Sequence, residues 1–127
     1  MGIFKVVPVD VYNRDVLVSI DQTDDELYDS IGSGYFDSKE HFLEQYEDFG
    51  DARVIVHSKG FIVMRFAKPI TELGIVAHES FHAAFSMLDH VGMRCCFDTE
   101  EAYAYLIQHI VNKVIDVNNE LLQTTQN

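Results

Sequence analysis

Residues 78–82 read His-Glu-Ser-Phe-His. On a helix, positions i and i+4 lie on one face with Cβ atoms about 6 Å apart. His78 and His82 can therefore aim two imidazole nitrogens at one ion. Zinc takes such nitrogens at roughly 2.0–2.1 Å. Glu79 is turned about 100° from His78. It would stand beside the ion as a base that takes a proton from a polarised water. One zinc ion is the expected cofactor, with Glu79 expected to be catalytic. The competing reading is an apolar helix whose two histidines hydrogen-bond locally. In apolar surroundings each would then need a partner, because an unpaired buried imidazole costs a few kcal/mol.

A catalytic zinc site needs a third protein ligand and an open position. His90 lies eight residues past His82, about 12 Å further along the same helix. It cannot reach the same ion unless the helix breaks. The final helix offers a carboxylate instead. Eighteen residues separate His82 from Glu101, in the run Asp-Thr-Glu-Glu-Ala-Tyr-Ala-Tyr-Leu. That interval fits a helix end, a turn at Gly92, a short loop and the first turn of a returning helix. Glu101 is the expected third ligand, and Glu100 is its competitor. Glu101, Tyr105, Gln108, His109 and Asn112 recur at three- and four-residue steps. Tyr105 or His109 is the expected donor to the oxyanion of a tetrahedral intermediate, with ordinary packing as the alternative for each. Tyr103 points elsewhere and is expected in the core.

His78-Glu79-Ser80-Phe81-His82 followed by Glu101 resembles the gluzincin pattern of thermolysin-like zinc metallopeptidases. Residues 70–112 also resemble small zincin-like proteins of bacteriophages. The resemblance implies zinc held by His78, His82 and Glu101, with Glu79 as general base. It implies a zincin-like fold in which a strand beside the metal carries an extended peptide. The strand Phe61–Phe66 is the candidate for that role. The chain departs from the pattern at Tyr105, where thermolysin-like enzymes often place an aspartate that orients the first histidine. The metzincin pattern does not fit, because Phe85 stands where it requires glycine.

The elements that must position these residues are legible from local signals. Ile3 to Tyr12 reads as a strand, with Pro8 marking an edge or bulge. Asn13-Arg14 is a turn, and Val16 to Ile20 the returning strand. Thr23 with Glu26 forms a capping box for a short helix through Ile31. Ser38 caps a second helix, with Phe42, Leu43, Tyr46 and Phe49 on its apolar face and Gly50 at its end. Val54–His57 and Phe61–Phe66 flank Ser58-Lys59-Gly60 as a hairpin. Pro69 is read in the first turn of a long helix that runs to about Val91 and stops at Gly92. Asp98 or Thr99 opens the last helix, which runs to about Leu122 before a polar, frayed tail at 123–127.

This order predicts one α+β domain over residues 1–127. A small, mostly antiparallel sheet from residues 1–66 packs on two long antiparallel helices from residues 67–122, which carry the metal site. An irregular helical protein with a minor sheet is the alternative. The chain has 127 residues, 47 % of them apolar, enough for a core without staples.

Net charge is −12 at pH 7. Residues 1–51 hold thirteen acidic and three basic side chains. That balance argues against nucleic acid as a partner. The apolar stretch 70–91 is broken by Glu72, His78, Glu79, His82 and Asp89, so no membrane span is expected. Cys95 and Cys96 are adjacent and cannot build a disulfide framework; a structural role is expected. His41 and His57 are read as surface residues. No signal segment opens the chain, so a cytoplasmic location is expected, that of a bacterial host if the chain is phage-encoded.

The leading expectation is a zinc-dependent, metallopeptidase-like hydrolase acting on a peptide or protein. The alternative is a zincin-like binding protein with little or no turnover, such as a phage-encoded inhibitor of a host factor.

Overall fold

The computed structural model describes residues 2–46 and 49–125. Among the described residues four strands form one sheet: β1 (Ile3–Val9), β2 (Arg14–Ile20), β3 (Ala52–Val56) and β4 (Ile62–Phe66). Four α-helices accompany them among these residues: α1 (Asp24–Ile31), α2 (Lys39–Tyr46), α3 (Leu73–His90) and α4 (Glu100–Thr125). Of the tail, Thr125 still belongs to α4, and residues 126 and 127 lie outside the described residues. The same holds for residues 47 and 48 between α2 and Phe49.

The local signals act as their chemistry requires. The Thr23 side chain accepts from the Glu26 amide at 3.1 Å, and Glu26 accepts from the Thr23 amide at 2.9 Å. The Ser38 hydroxyl accepts from the His41 amide at 3.1 Å. Gly60, at φ 99°, makes the turn between β3 and β4, where the His57 amide donates to Phe61 O at 2.9 Å. Gly92, at φ 82°, ends α3 in the left-handed conformation that favours glycine.

Strand order is β1-β2-β4-β3. β1 pairs antiparallel with β2, and β3 antiparallel with β4. β2 and β4 run parallel, with Val16 opposite Ile62 and Ile20 opposite Phe66. The sheet is therefore mixed, not the mostly antiparallel sheet expected. The cause is the crossover: α1, α2 and β3 intervene between β2 and β4, so the chain re-enters beside β2 in the same direction. Every residue of β4 is buried, as befits a central strand covered on both faces.

β4 is consequently paired on both sides, and it cannot also pair with a peptide as expected of Phe61–Phe66. The open edges belong to β1 and β3. Pro8, which has no N–H to donate, sits on edge strand β1.

Helices cover both faces. Val16, Val18, Ile20, Ile62, Met64 and Phe66 pack with α3 and α4. On the opposite face Val63 and Ile55 pack with Leu27 and Ile31 of α1 and with Phe42 and Tyr46 of α2. Arg65 points into this second layer, 2 % exposed. It pairs with Asp24 at 2.7 Å and donates to Tyr46 O at 2.7 Å and Gln22 O at 3.2 Å.

α3 starts four residues after Pro69 rather than at it. Asn118 of α4 is the reason. Its amide donates to Ile70 O at 3.1 Å and accepts from Ile70 N at 2.8 Å, which holds the chain extended there. At the other end, Tyr103 of α4 donates to Met93 O at 2.7 Å, and its ring centroid lies 6.4 Å from that of Phe85. The two helices are thus antiparallel, as expected. No described helix is long and apolar enough to cross a membrane.

Candidate metal centre

α3 carries His78, Glu79 and His82 on adjoining sides of one helical turn. Potential ligand atoms of the three residues all lie within 4.8 Å of one another. The Nε2 atoms of His78 and His82 are 3.2 Å apart, and both residues are exposed. Two nitrogens bound at 2.0–2.1 Å to one tetrahedral ion stand about 3.3 Å apart, so the pair already has the required separation. A single shared proton also accounts for 3.2 Å between two imidazoles. Between exposed rings, water competes with that bond and leaves little net stabilisation.

Glu79 distinguishes the two accounts. It is 7 % exposed. Its Oε2 is buried without a hydrogen-bond partner, and no ion pair to it exists among the described residues. An unmatched buried acceptor costs about 1–3 kcal/mol, more when charged. A histidine–histidine hydrogen bond does nothing for that oxygen. A cation bound beside it does. Two imidazoles with a carboxylate beside them suit zinc and its divalent neighbours. The residues on this turn therefore fit a metal ion.

The other expected members stand elsewhere. The Ile70–Asn118 and Phe85–Tyr103 contacts fix the register of the helix pair. In that register His82 is level with about residue 106 of α4. Glu101 is level with about residue 87 of α3, some 7.5 Å further along the axis. Glu101 is also turned about 160° round α4 from Tyr103, which faces α3. It is exposed and is not brought to the histidines. Glu100, on the α3 side of the helix, lines a groove with Phe81, Cys96 and Tyr103, and it too is outside the cluster.

Tyr105 and His109 share a cleft with Asp10 and Tyr12, on the β1 side of α4. Tyr105 is 69 % exposed. Neither lines the groove beside His78 and Glu79. Tyr103 is buried, as expected, and burial raises its hydroxyl pKa. His90 is exposed at the end of α3.

His57 is not the surface residue expected. It is 6 % exposed, because its ring stacks on Phe61 at 4.3 Å, its Nδ1 accepts from the Lys59 amide at 3.0 Å, and its Nε2 lies 3.2 Å from Tyr35 O. His41 is half-buried, 3.1 Å from the Gln45 amide nitrogen. Neither belongs to a cluster of potential ligands among the described residues.

The groove beside the histidines was not legible in the sequence. Its walls are α3 and the start of β3: Asp51, Ala52, Glu72, Gly74 and Ile75 line it with His78 and Glu79. Only the edge position of β3 brings these segments together.

Compared with protein-family profiles, curated proteins and solved structures, the chain matches none.

Proposed function

We propose that His78 and His82 hold a divalent transition-metal ion, zinc foremost, as two of the three protein ligands a catalytic site needs, and that Glu79 is the base of a hydrolysis at a peptide carbonyl. The observation that carries this reading is the 3.2 Å Nε2–Nε2 separation beside a buried carboxylate oxygen without a partner. When bound, such an ion supplies Lewis acidity, which polarises a carbonyl and eases deprotonation of water.

The chain's own residues do the rest. His78 and His82 donate two nitrogens from a rigid helical turn. Glu79 is among the residues lining the groove, and in this reading it accepts a proton and passes it to the leaving amine. Its burial keeps competing water away from the carboxylate. β3 is an edge strand whose start lines the same groove. An extended peptide can pair with its free edge, the role first expected of β4. Glu101, Tyr105 and His109 have no part in this reading.

Metal content and cleavage of a peptide library, measured for the wild type and for Glu79→Gln, test it. The wild type should take up metal and cleave, and the variant should take up metal without cleaving. A wild type that acquires no stoichiometric metal on dialysis overturns the proposal.

A second reading is a metal-binding protein without turnover. It is favoured by the placement of Tyr105 and His109 in a separate cleft. It predicts metal uptake with no cleavage by either form.

A further inference from the structure

Within one chain the metal centre lacks a ligand. A catalytic zinc site takes three protein ligands and keeps one position open. His78 and His82 supply two, and Glu79 is kept as the base. Among the described residues no further histidine, cysteine or carboxylate joins their cluster. A donor from a second molecule would complete it, and the exposed side of α3 is built to receive one. His78, His82, Phe85 and Asp89 are all exposed and follow one another at steps of four, three and four. Residues so spaced form one narrow stripe, the kind of seam along which two helices pack side by side. Val76, Ala83, Ala84, Met87 and Leu88 of the same helix pack into the core instead.

The stripe is complementary to itself. Its first half holds the two imidazoles, which with an ion are a centre of positive charge. Its second half ends in Asp89, whose carboxylate forms no ion pair among the described residues. A two-fold axis between His82 and Phe85 lays a second α3 antiparallel on the first. His82 then meets Phe85 of the second copy, and His78 meets its Asp89. That carboxylate stands about 3 Å along the axis from the middle of the His78–His82 pair. Phe81 and Phe85, their ring centroids 6.0 Å apart, are exposed at the same place and gain cover from the second copy. Charge favours this side too. Residues 1–51 hold thirteen acidic and three basic side chains, whereas residues 52–127, which include both long helices, hold eight acidic and six basic.

We infer that Asp89 of a second copy of this chain is the third ligand to the ion held by His78 and His82, twice over in a two-fold dimer joined along α3. This rests on the metal reading and deepens it by naming the missing ligand and the partner that brings it. Two imidazoles and one carboxylate are a donor set of catalytic zinc sites that keep a position open. Glu79 is turned about 100° from His78, off the stripe, so the second copy does not take its place beside the ion. Metal uptake and dimer formation are then one event.

The test reads mass and metal, apart from turnover. Metal-free protein is titrated with zinc and followed by calorimetry and sedimentation. The wild type should pass from monomer to dimer as it takes up one ion per chain. Asp89→Asn should weaken zinc binding by about tenfold or more, at least the cost of losing a residue that supports a ligand, and should lose the dimer. Asp116→Asn removes the same charge from an exposed position on α4 and should do neither. Two variants then complement each other: His78→Ala/His82→Ala keeps Asp89, and Asp89→Asn keeps the histidines. Mixed in equal amounts, they should recover tight binding of one ion per two chains, a gain that misfolded variants could not give. Tight zinc binding by a monomer, wild-type behaviour of Asp89→Asn, or no recovery in the mixture would overturn the inference and leave the metal reading standing. No zinc uptake by the wild type would overturn both. A zinc-joined dimer that cleaves no peptide would uphold the shared site and overturn the hydrolase reading.

Discussion

Asn118 and Ile70 exchange two hydrogen bonds, at 2.8 and 3.1 Å, across 48 residues of chain. This pair ties the segment before α3 to the later half of α4. It sets both where α3 begins and the level at which the two long helices meet. Asn118 is buried, so Asn118→Ala leaves an amide and a carbonyl of Ile70 without partners. The expected loss is about 2 kcal/mol in urea unfolding. Asn118→Asp keeps only the acceptor and should also destabilise, since a carboxylate then faces the Ile70 carbonyl.

Glu79 should behave as a residue kept for function at the expense of stability. Its buried oxygen is unmatched in the metal-free protein. Glu79→Met, close in shape and without charge, should raise metal-free stability by about 1 kcal/mol in urea unfolding. It should also abolish any metal-dependent cleavage. A loss of stability would mean that the carboxylate has a partner that the fold depends on.

Arg65 is a buried charge whose two terminal nitrogens find partners, although its Nε has none. Asp24, Tyr46 O and Gln22 O hold its guanidinium, which also lies 4.1 Å from the Phe49 ring centroid. Arg65→Met should cost about 3 kcal/mol, because Asp24 and two carbonyls lose their donor. Thermal unfolding should show the loss, and metal affinity should not change.

Cys96 and Cys95 are both exposed but are not equivalent. The Thr99 side chain, and then the Asp98 backbone, hydrogen-bond the Cys96 sulfur and lower its thiol pKa. A lowered pKa means more thiolate at a given pH below the ordinary thiol range. Cys96 should therefore be alkylated by iodoacetamide ahead of Cys95 near pH 7.5, as read by peptide mass mapping. The lead should be largest below the ordinary thiol range, where the lowered pKa of Cys96 adds most thiolate. Thr99→Val should remove most of it.

What the sequence disclosed was local. Thr23 with Glu26, Ser38, Gly60 and Gly92 each act within a few residues, and each marks its cap or turn. The His78–Glu79–His82 turn was legible for the same reason, since one helical turn fixes it. The parallel pairing of β2 with β4 depends on how residues 21–61 cross the sheet, which no short pattern encodes. The one trace of it was the unbroken apolar start of β4, Ile62-Val63-Met64, where a half-exposed hairpin strand would alternate. Glu101 failed to reach the histidines for a related reason. An interval of eighteen residues counts length, but the rotation of α4 and its level against α3 are set by Tyr103, Phe85, Ile70 and Asn118. The groove beside the site needed β3 at the sheet edge, a fact of topology alone.

The most direct test of the metal centre is titration of the purified protein with zinc or cobalt(II), by calorimetry and by cobalt absorption. The wild type should bind one equivalent. His82→Ala should weaken binding by about a hundredfold or more, in line with the loss of one of two imidazole ligands. Glu101→Gln should bind as the wild type does. No uptake by the wild type, or a loss in Glu101→Gln as large as that in His82→Ala, would contradict a centre held by His78 and His82 beside Glu79.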